Sequence, residues 1–389
     1  MSKAQMVGWS HSHFGKSEAP TTQALMGEVV APALEHAGIG AESVDGVFVG
    51  VMNNGFSKQD FQGALVGMAH EGLGMVPAVR MENACATGSA ALYSAIDFIE
   101  SGRGRIALVV GAEKMTAIPT VQTGDILLGA SYREEEAEVE GGFAGLFGRI
   151  AQQYFQKYGD RSEELAMIAA KNHKNGMANP YAHMRKDFGF EFCNTISEKN
   201  PYVAAPLRRT DCSLISDGAA AIVLADEETA AGLERAIAFR SRRHMNDVLA
   251  LSRRDVTEFA GARRAWSRAL EDGGVSLDDL DFVETHDCFT IAEMIEYEAM
   301  GLAEPGQGYR VIRDGVSAKD GRLPVNPSGG LKSKGHPIGA TGVSMHVMAA
   351  MQLMGEAGDM QVPEAKMAGV FNMGGAAVAN YVSILERAK

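Results

Sequence analysis

Four cysteines, two tryptophans and 12 prolines are few for a chain of 389 residues. The cysteines stand at 85, 193, 212 and 288, and none forms a Cys-x-x-Cys pair. That excludes zinc-ribbon and thioredoxin motifs, and four scattered thiols make no disulfide framework. No run of ~18 apolar residues is present, so no membrane-spanning helix is expected. Positive charge is also short: 36 Lys and Arg stand against 49 Asp and Glu, a net of −13. Neither a nucleic acid nor an anionic membrane is an expected partner. The start, Met1-Ser2-Lys3-Ala4-Gln5, lacks the pattern of a signal peptide. The end, Glu386-Arg387-Ala388-Lys389, is no peroxisomal address. A soluble, cytoplasmic protein is the expectation.

What is abundant is glycine: 45 residues, close to 12 %, against a usual ~7 %. The collagen period is absent. With 46 % hydrophobic residues the chain can bury a large core. The glycines mark an internal repeat. Leu34-Glu35-His36-Ala37-Gly38 reads as a helix stop, followed by the apolar strand Gly46–Gly50. Leu270-Glu271-Asp272-Gly273-Gly274 leads in the same way to a strand at Phe282–Thr285. The small-residue helix from Ala86 precedes the strand Ile106–Gly111, and the helix from Gly339 precedes Met367–Phe371. Gly218-Ala219 and Gly375-Ala376 open a third matching pair. Two copies of one α/β unit account for these pairs, too long for a solenoid. Between Val110 and Gly218 lies a long insertion, with helices expected at Gly148–Tyr158 and at Ser162–Asn172, Ser162 starting the second. The Glu134-Glu135-Glu136 run reads as a solvated loop.

Three places carry chemistry. Cys85 stands at the start of the first small-residue helix, where dipole and free N–H groups favour a thiolate. His336 lies in a glycine-rich loop before the matching helix, so a pseudo-twofold would bring it to Cys85 as nucleophile and base. His286-Asp287-Cys288-Phe289 and Asn372-Met373-Gly374-Gly375 both end strands, where α/β sheets place ligands. The Gly374 region could bare N–H groups for an oxyanion hole. Other signals fail. Gly102-Arg103-Gly104-Arg105-Ile106-Ala107 precedes a strand and is no dinucleotide fingerprint. Neither a GxSxG elbow nor HExxH occurs. His11 and His13 lack a carboxylate partner, and no metal site is expected.

Asn83-Ala84-Cys85-Ala86-Thr87-Gly88-Ser89 and Gly335-His336-Pro337-Ile338-Gly339-Ala340-Thr341-Gly342 together resemble the nucleophile and histidine motifs of the thiolase superfamily. His286-Asp287-Cys288-Phe289, and Asn372 in place of a second catalytic cysteine, are similar to the sterol-carrier-protein type of thiolase. The resemblance implies a duplicated five-layer αβαβα fold with two central mixed sheets. It divides the chain into an N-terminal half (1–116 plus 207–235), a loop domain (117–206) and a C-terminal half (236–389). It implies acyl transfer between coenzyme A thioesters, by 3-ketoacyl-CoA thiolysis or Claisen condensation, through a Cys85 acyl-enzyme. His336 would be the base and Cys288 the acid/base for the α-proton. The N–H groups of Cys85 and Gly374 would form one oxyanion hole, His286 and His336 the other. No cofactor is required; coenzyme A is substrate and product. Lys171, Lys174, Arg185 and Lys186 in the insertion, with Arg208 and Arg209 after it, are candidates for its phosphates. Homodimers or tetramers are implied, as is a possible small zinc-binding OB-fold partner. A ketoacyl-synthase-like enzyme, a retro-aldolase relative or an acyl-CoA-binding subunit of a complex are the alternatives.

Overall fold

The computed structural model describes residues 3–389; Met1 and Ser2, at which the N-terminal reading and the first domain boundary begin, lie outside the described residues. The strands follow the order β1 (Ala4–His11), β2 (Gly46–Gly50), β3 (Ala78–Met81), β4 (Ile106–Glu113), β5 (Tyr202–Ala204), β6 (Leu207–Arg208), β7 (Gly218–Asp226), β8 (Ile237–Asn246), β9 (Phe282–Glu284), β10 (Met367–Gly374) and β11 (Ala379–Arg387). Nine of them form one sheet in the order β3-β2-β4-β7-β1-β8-β11-β10-β9. β5 and β6 pair separately.

The sheet order is a near-palindrome. β2 runs parallel to β3 and β4, while β7 is antiparallel to β4 and β1. On the other side β9 runs parallel to β10, while β11 is antiparallel to β10 and β8. An isolated parallel bridge from Val283 to Val325 takes the place of β3. The halves meet where β1 pairs with β8 through only Gln5–Ala238 and Met6–Ile237. The two mixed sheets are thus joined edge to edge by one short seam.

Helices cover both faces of each half. Buried side chains of Thr22–Ala37 pack outside β1 and β7, and those of Ala260–Gly273 outside β8 and β11. Between the half-sheets, Thr87–Glu100 packs against Ile338–Met354. Strands covered on both faces need continuous apolar sequence, and β4 and β7 are buried at every position. The two central helices touch backbone to backbone. A Cβ at Gly88 would lie 2.7 Å from the Val343 nitrogen, so only glycine fits.

The insertion forms helices at Gly142–Tyr158 and Ser162–Gly176, each longer than the sequence pattern implies. The first begins after Gly141 in a left-handed conformation, φ 82°. The second is capped from Asp160, whose Oδ1 accepts the Ser162 N–H at 2.8 Å; Ser162 itself is the first helical residue. The acidic run is not wholly solvated. Glu136 is buried and accepts the Leu251 N–H at 2.8 Å.

Candidate active site

Cys85 sits at a sharp turn between β3 and its helix. Ala84 adopts φ 48°, a left-handed conformation that non-glycine residues avoid. The turn closes through Ala86 N–H to Asn83 O at 3.0 Å, and the helix then starts at Thr87. His336 enters from the other half, ahead of the helix Ile338–Met354. His286 and Cys288 follow β9. These elements converge: Cys85 Sγ and one ring nitrogen each of His286 and His336 lie within 4.8 Å of one another. The two imidazoles meet edge to face, with centroids 5.0 Å apart. Cys85, Cys288 and His336 line a largely apolar cavity of about 890 Å³. Cys85 is 5 % exposed and His286 fully buried, so the reacting atoms are shielded from bulk water.

The hydrogen bonds set opposite tautomers on the two histidines. The Thr341 hydroxyl donates to Pro337 O at 2.9 Å, which leaves its oxygen to accept from His336 Nδ1–H at 2.7 Å. His336 Nε2 therefore carries a lone pair. Asn372 is oriented by two partners: its Nδ2 donates to Cys85 O at 3.2 Å, and Ser89 donates to its Oδ1 at 2.7 Å. The same Nδ2 donates to His286 Nδ1 at 2.9 Å, so the His286 proton sits on Nε2. Both Nε2 atoms are buried with no protein partner. One is a base and the other a donor, and both are held ready for a ligand.

Burial governs the ionisation. It pushes the Cys85 thiol up to about 12, against N–H bonds from Gly375 and Cys85 itself that act the other way. It also pulls His336 down to about 3, with the Lys334 ammonium adding to the effect. Desolvation, then the charge of His336, holds His286 well below its ordinary value. The resting pair is thus thiol and neutral imidazole, in contrast to the thiolate expected from the helix start. The dipole is outweighed because the charged form has no water around it. Cys288 is likewise held far above the usual thiol range by burial and by its nearness to Cys85.

Other expected residues are placed differently. The backbone N–H aimed at the Cys85 sulfur is that of Gly375, one residue beyond Gly374. β10 ends at Gly374, which stands opposite Ala379 in the ladder, and the chain turns at Gly375 with φ 62°. Lys171 and Arg208 are not free for a phosphate. Lys171 is 8 % exposed and pairs with Glu293 at 2.6 Å, and Arg208 is 3 % exposed and pairs with Asp211 at 2.8 Å. Lys174 is exposed on the insertion helix and does not line the cavity. The basic residue that does line it is Arg209, which is exposed. Sequence reasoning missed Thr341 and Ser89 as tautomer-setting groups. It also missed Asp287 as a brace: Asp287 accepts the Leu331 N–H at 2.6 Å and Asn172 Nδ2 at 2.7 Å, tying the loop before His336 to the insertion.

Comparison with known proteins agrees with this architecture. Residues 5–191 match the family model of the thiolase N-terminal domain, and residues 244–387 the thiolase C-terminal domain-like model. The chain is 36 % identical over 392 residues to an acetyl-CoA acetyltransferase of Methanothermobacter thermautotrophicus, covering 100 % of both. It is 33 % identical over 328 residues to human sterol carrier protein 2, covering 78 % of this chain and 58 % of that one. Among solved structures, the Ltp2-ChsH2(DUF35) aldolase superposes with a TM-score of 0.84 at 20 % identity, covering 99 % of this chain and 98 % of that one. The chain belongs to the thiolase family.

Proposed function

We propose that the protein is an acyltransferase acting on coenzyme A thioesters, with Cys85 as the acylated residue. The observation that carries this reading is the pair of opposed tautomers within 4.8 Å of one thiol. As Cys85 Sγ attacks the thioester carbonyl, its proton passes to His336 Nε2. The carbonyl oxygen becomes an oxyanion between the N–H groups of Gly375 and Cys85. The coenzyme A thiolate leaves and takes the proton of Cys288. Cys288, now a thiolate raised in basicity by burial, removes the α-proton of a second acyl-CoA. The enolate oxygen is held by Nε2–H of His286 and by Nε2–H of the His336 imidazolium. Carbon attack on the acyl-enzyme releases Cys85 as thiolate, and His336 returns its proton. Thiolysis of a 3-ketoacyl-CoA is the same path reversed.

No cofactor enters this cycle; coenzyme A is substrate and product. The three site residues serve as nucleophile and proton carriers, not as metal ligands. His286 Nε2 bears hydrogen, and a protonated nitrogen cannot ligate. Arg209 at the cavity is the candidate partner of a coenzyme A phosphate. The insertion, residues 117–206, supplies much of the apolar wall and reads as a loop domain between halves at 1–116 with 207–235 and at 236–389.

A homodimer, or a tetramer built from it, is the proposed assembly. The open edge strand β3 and its flank expose Phe61, Met75 and Val79, an apolar face next to unpaired backbone. A small zinc-binding OB-fold protein, which the family resemblance implies, is the further proposed partner. Among the described residues no helix is long and apolar enough to cross a membrane.

The test is direct. Incubation with acetyl-CoA should add one acetyl group, mapped to Cys85 by mass spectrometry. Acetoacetyl-CoA plus coenzyme A should lose its enolate absorbance. An adduct retained in Cys85→Ala would overturn the assignment. Carbon–carbon cleavage without coenzyme A and without an adduct would favour the retro-aldolase alternative.

A further inference from the structure

One buried carboxylate near the site has no part in the cycle above. Glu113, the last residue of β4, is 1 % exposed. Among the described residues it forms no ion pair, and its oxygens accept three backbone N–H groups. Oε1 takes Asn53 at 3.0 Å; Oε2 takes Met52 at 2.9 Å and Gly339 at 3.0 Å. The first two belong to the turn after β2, where Asn53 and Asn54 have φ of 52° and 45°. The third belongs to the first turn of the helix that follows His336. A first-turn N–H has no partner within its own helix, so an acid from the other half supplies it. Met52 also packs with Cys85 and Ile338 in one small apolar cluster.

The duplicated sheet shows what this position is for. Gly111 of β4 stands opposite Gly50, the last residue of β2, and two residues on is Glu113. Val370 of β10 stands opposite Glu284, the last residue of β9, and two residues on is Asn372. The two side chains occupy matching places and make matching bonds. Each reaches the turn after the neighbouring strand: Met52 and Asn53 in one half, His286 in the other. Each also reaches across to the segment that carries the opposite half's reacting residue: Gly339, three residues after His336, and Cys85 O. The fit is close, since a Cβ at Gly339 would lie 2.9 Å from Glu113 Oε2.

We propose that Glu113 is a positioning residue for the reaction: its carboxylate fixes the start of the His336 helix and the Met52–Asn53 turn, and so sets the approach of His336 Nε2 to Cys85. The inference rests on the proposed acyl-enzyme reading, and it assigns a role to a residue that touches no substrate. Burial raises the Glu113 carboxyl from its ordinary range to about 7, against the three N–H bonds that lower it. Arg80 lowers it further, and Glu113 in turn raises Cys85. A carboxyl kept where burial raises it to about 7, and braced by three N–H groups, is better explained by geometry than by stability.

The test compares Glu113→Gln with the native protein. Glutamine keeps the shape and one acceptor oxygen, but its NH₂ faces a backbone N–H, so one brace must break. Two readouts are used: kcat and KM per Cys85 titrated by burst acylation, and the rate of Cys85 alkylation by iodoacetamide. Displacing His336 by about 1 Å would cost roughly tenfold to a hundredfold in kcat. KM for coenzyme A should stay within about threefold, because Arg209 and the cavity wall are untouched. Cys85 alkylation should slow in parallel; the broken brace should also lower the melting temperature, which rates taken per titrated site do not register. A lower melting temperature with unchanged kcat per titrated site and unchanged alkylation would overturn the proposal, since that pattern belongs to a purely structural carboxylate. If Glu113→Gln does not fold, Glu113→Asp keeps the charge but draws the carboxylate back by one methylene from the three N–H groups, and must show the same loss of kcat. Should the native protein form no Cys85 adduct, the acyl-enzyme reading fails instead, and the iodoacetamide arm still reports on Glu113.

Discussion

The two halves of the molecule share strand order and direction, but they divide the chemistry unequally. After β2 the first half places Met52 and Asn53, which offer only backbone N–H groups to Glu113. After β9 the second half places His286 and Cys288, which offer side chains to the cavity and its reacting thiol. After β3 comes the nucleophile, and after the Val325 bridge comes its base, His336. The duplication supplied four converging chain ends. One half then used them for the nucleophile and its support, the other for proton transfer. A pseudo-twofold core thus builds an asymmetric site from matching strand ends, with the insertion of one half walling it.

Removing one contribution from each half breaks this division most sharply. Cys85→Ala should lower turnover by more than about 10⁴-fold, as expected when a covalent nucleophile is lost. No acyl adduct should form. Cys288→Ala should differ in kind: the Cys85 adduct should accumulate while condensation fails. Quench-flow with labelled acetyl-CoA separates the two. Equal loss of adduct in both variants would mean that the halves do not divide the work in this way.

Acid tests the ionisation of both halves together. Burial lowers His11 to about 3, His336 to about 3, His346 to about 4 and His173 to about 2, from 6.5. A histidine with a lowered folded value takes up its proton more readily when unfolded. Stability is therefore complete above the unfolded value and is lost as pH falls below 6.5. At pH 5 each such histidine costs about 2 kcal/mol. The melting temperature should fall steeply between pH 6.5 and 5. Over the same range His336 should add no step to kcat per folded molecule, because it remains a neutral base; any loss should follow the Glu113 carboxyl, raised to about 7, and be absent from Glu113→Gln. A step near 6.5 that persists in Glu113→Gln would show that His336 is not desolvated as described.

Much of this comparison was legible in the sequence, and the reason is chemical. Small residues at Gly88 and Gly339 are demanded by backbone contact, so the repeat survives as a pattern of glycine and alanine. Cys85 and His336 stand out because few residue types can act as nucleophile and base. The braces were not legible. Glu113 bonds a residue 226 positions away, and no local signal marks that contact. Charge misled for the same reason. Lys171 looked available for a phosphate, but its partner Glu293 lies 122 residues on and both are buried. The helix start at Cys85 was visible, whereas the dryness that overrides its dipole depends on walls from both halves and the insertion.

The tautomer of His286 is the next point to break. Asn372→Asp replaces the Nδ2 donor by a carboxylate oxygen, which prefers to accept from Nδ1–H. The His286 proton would then move to Nδ1, and Nε2 would turn a lone pair toward the enolate oxygen. Loss of one oxyanion donor costs roughly 10²–10³ in kcat. Acylation of Cys85 should suffer less than condensation, because His286 serves the enolate. The ¹⁵N shifts of labelled His286 would report the change directly. An unchanged tautomer with full condensation would remove Asn372 from the mechanism.

Thr341→Val is the finest cut, because it removes one atom's function and keeps the shape. The hydroxyl both accepts from His336 Nδ1–H and donates to Pro337 O, so valine leaves that N–H without an acceptor in a buried place. The ring keeps its position, held by packing and by the His336 N–H bond to Leu214 O at 3.1 Å. What it loses is the preference for a lone pair on Nε2, and a fraction of molecules will carry the proton there and fail as base. Losing an orienting partner of this kind costs roughly tenfold to a hundredfold in activity. The loss should fall on Cys85 acylation and on iodoacetamide reactivity alike, the reverse of the Asn372→Asp bias toward condensation. That opposite bias is what the two tautomers require: one half's threonine keeps a base, and a strand-end asparagine keeps a donor. Equal bias in the two variants would mean that both histidines serve the same step.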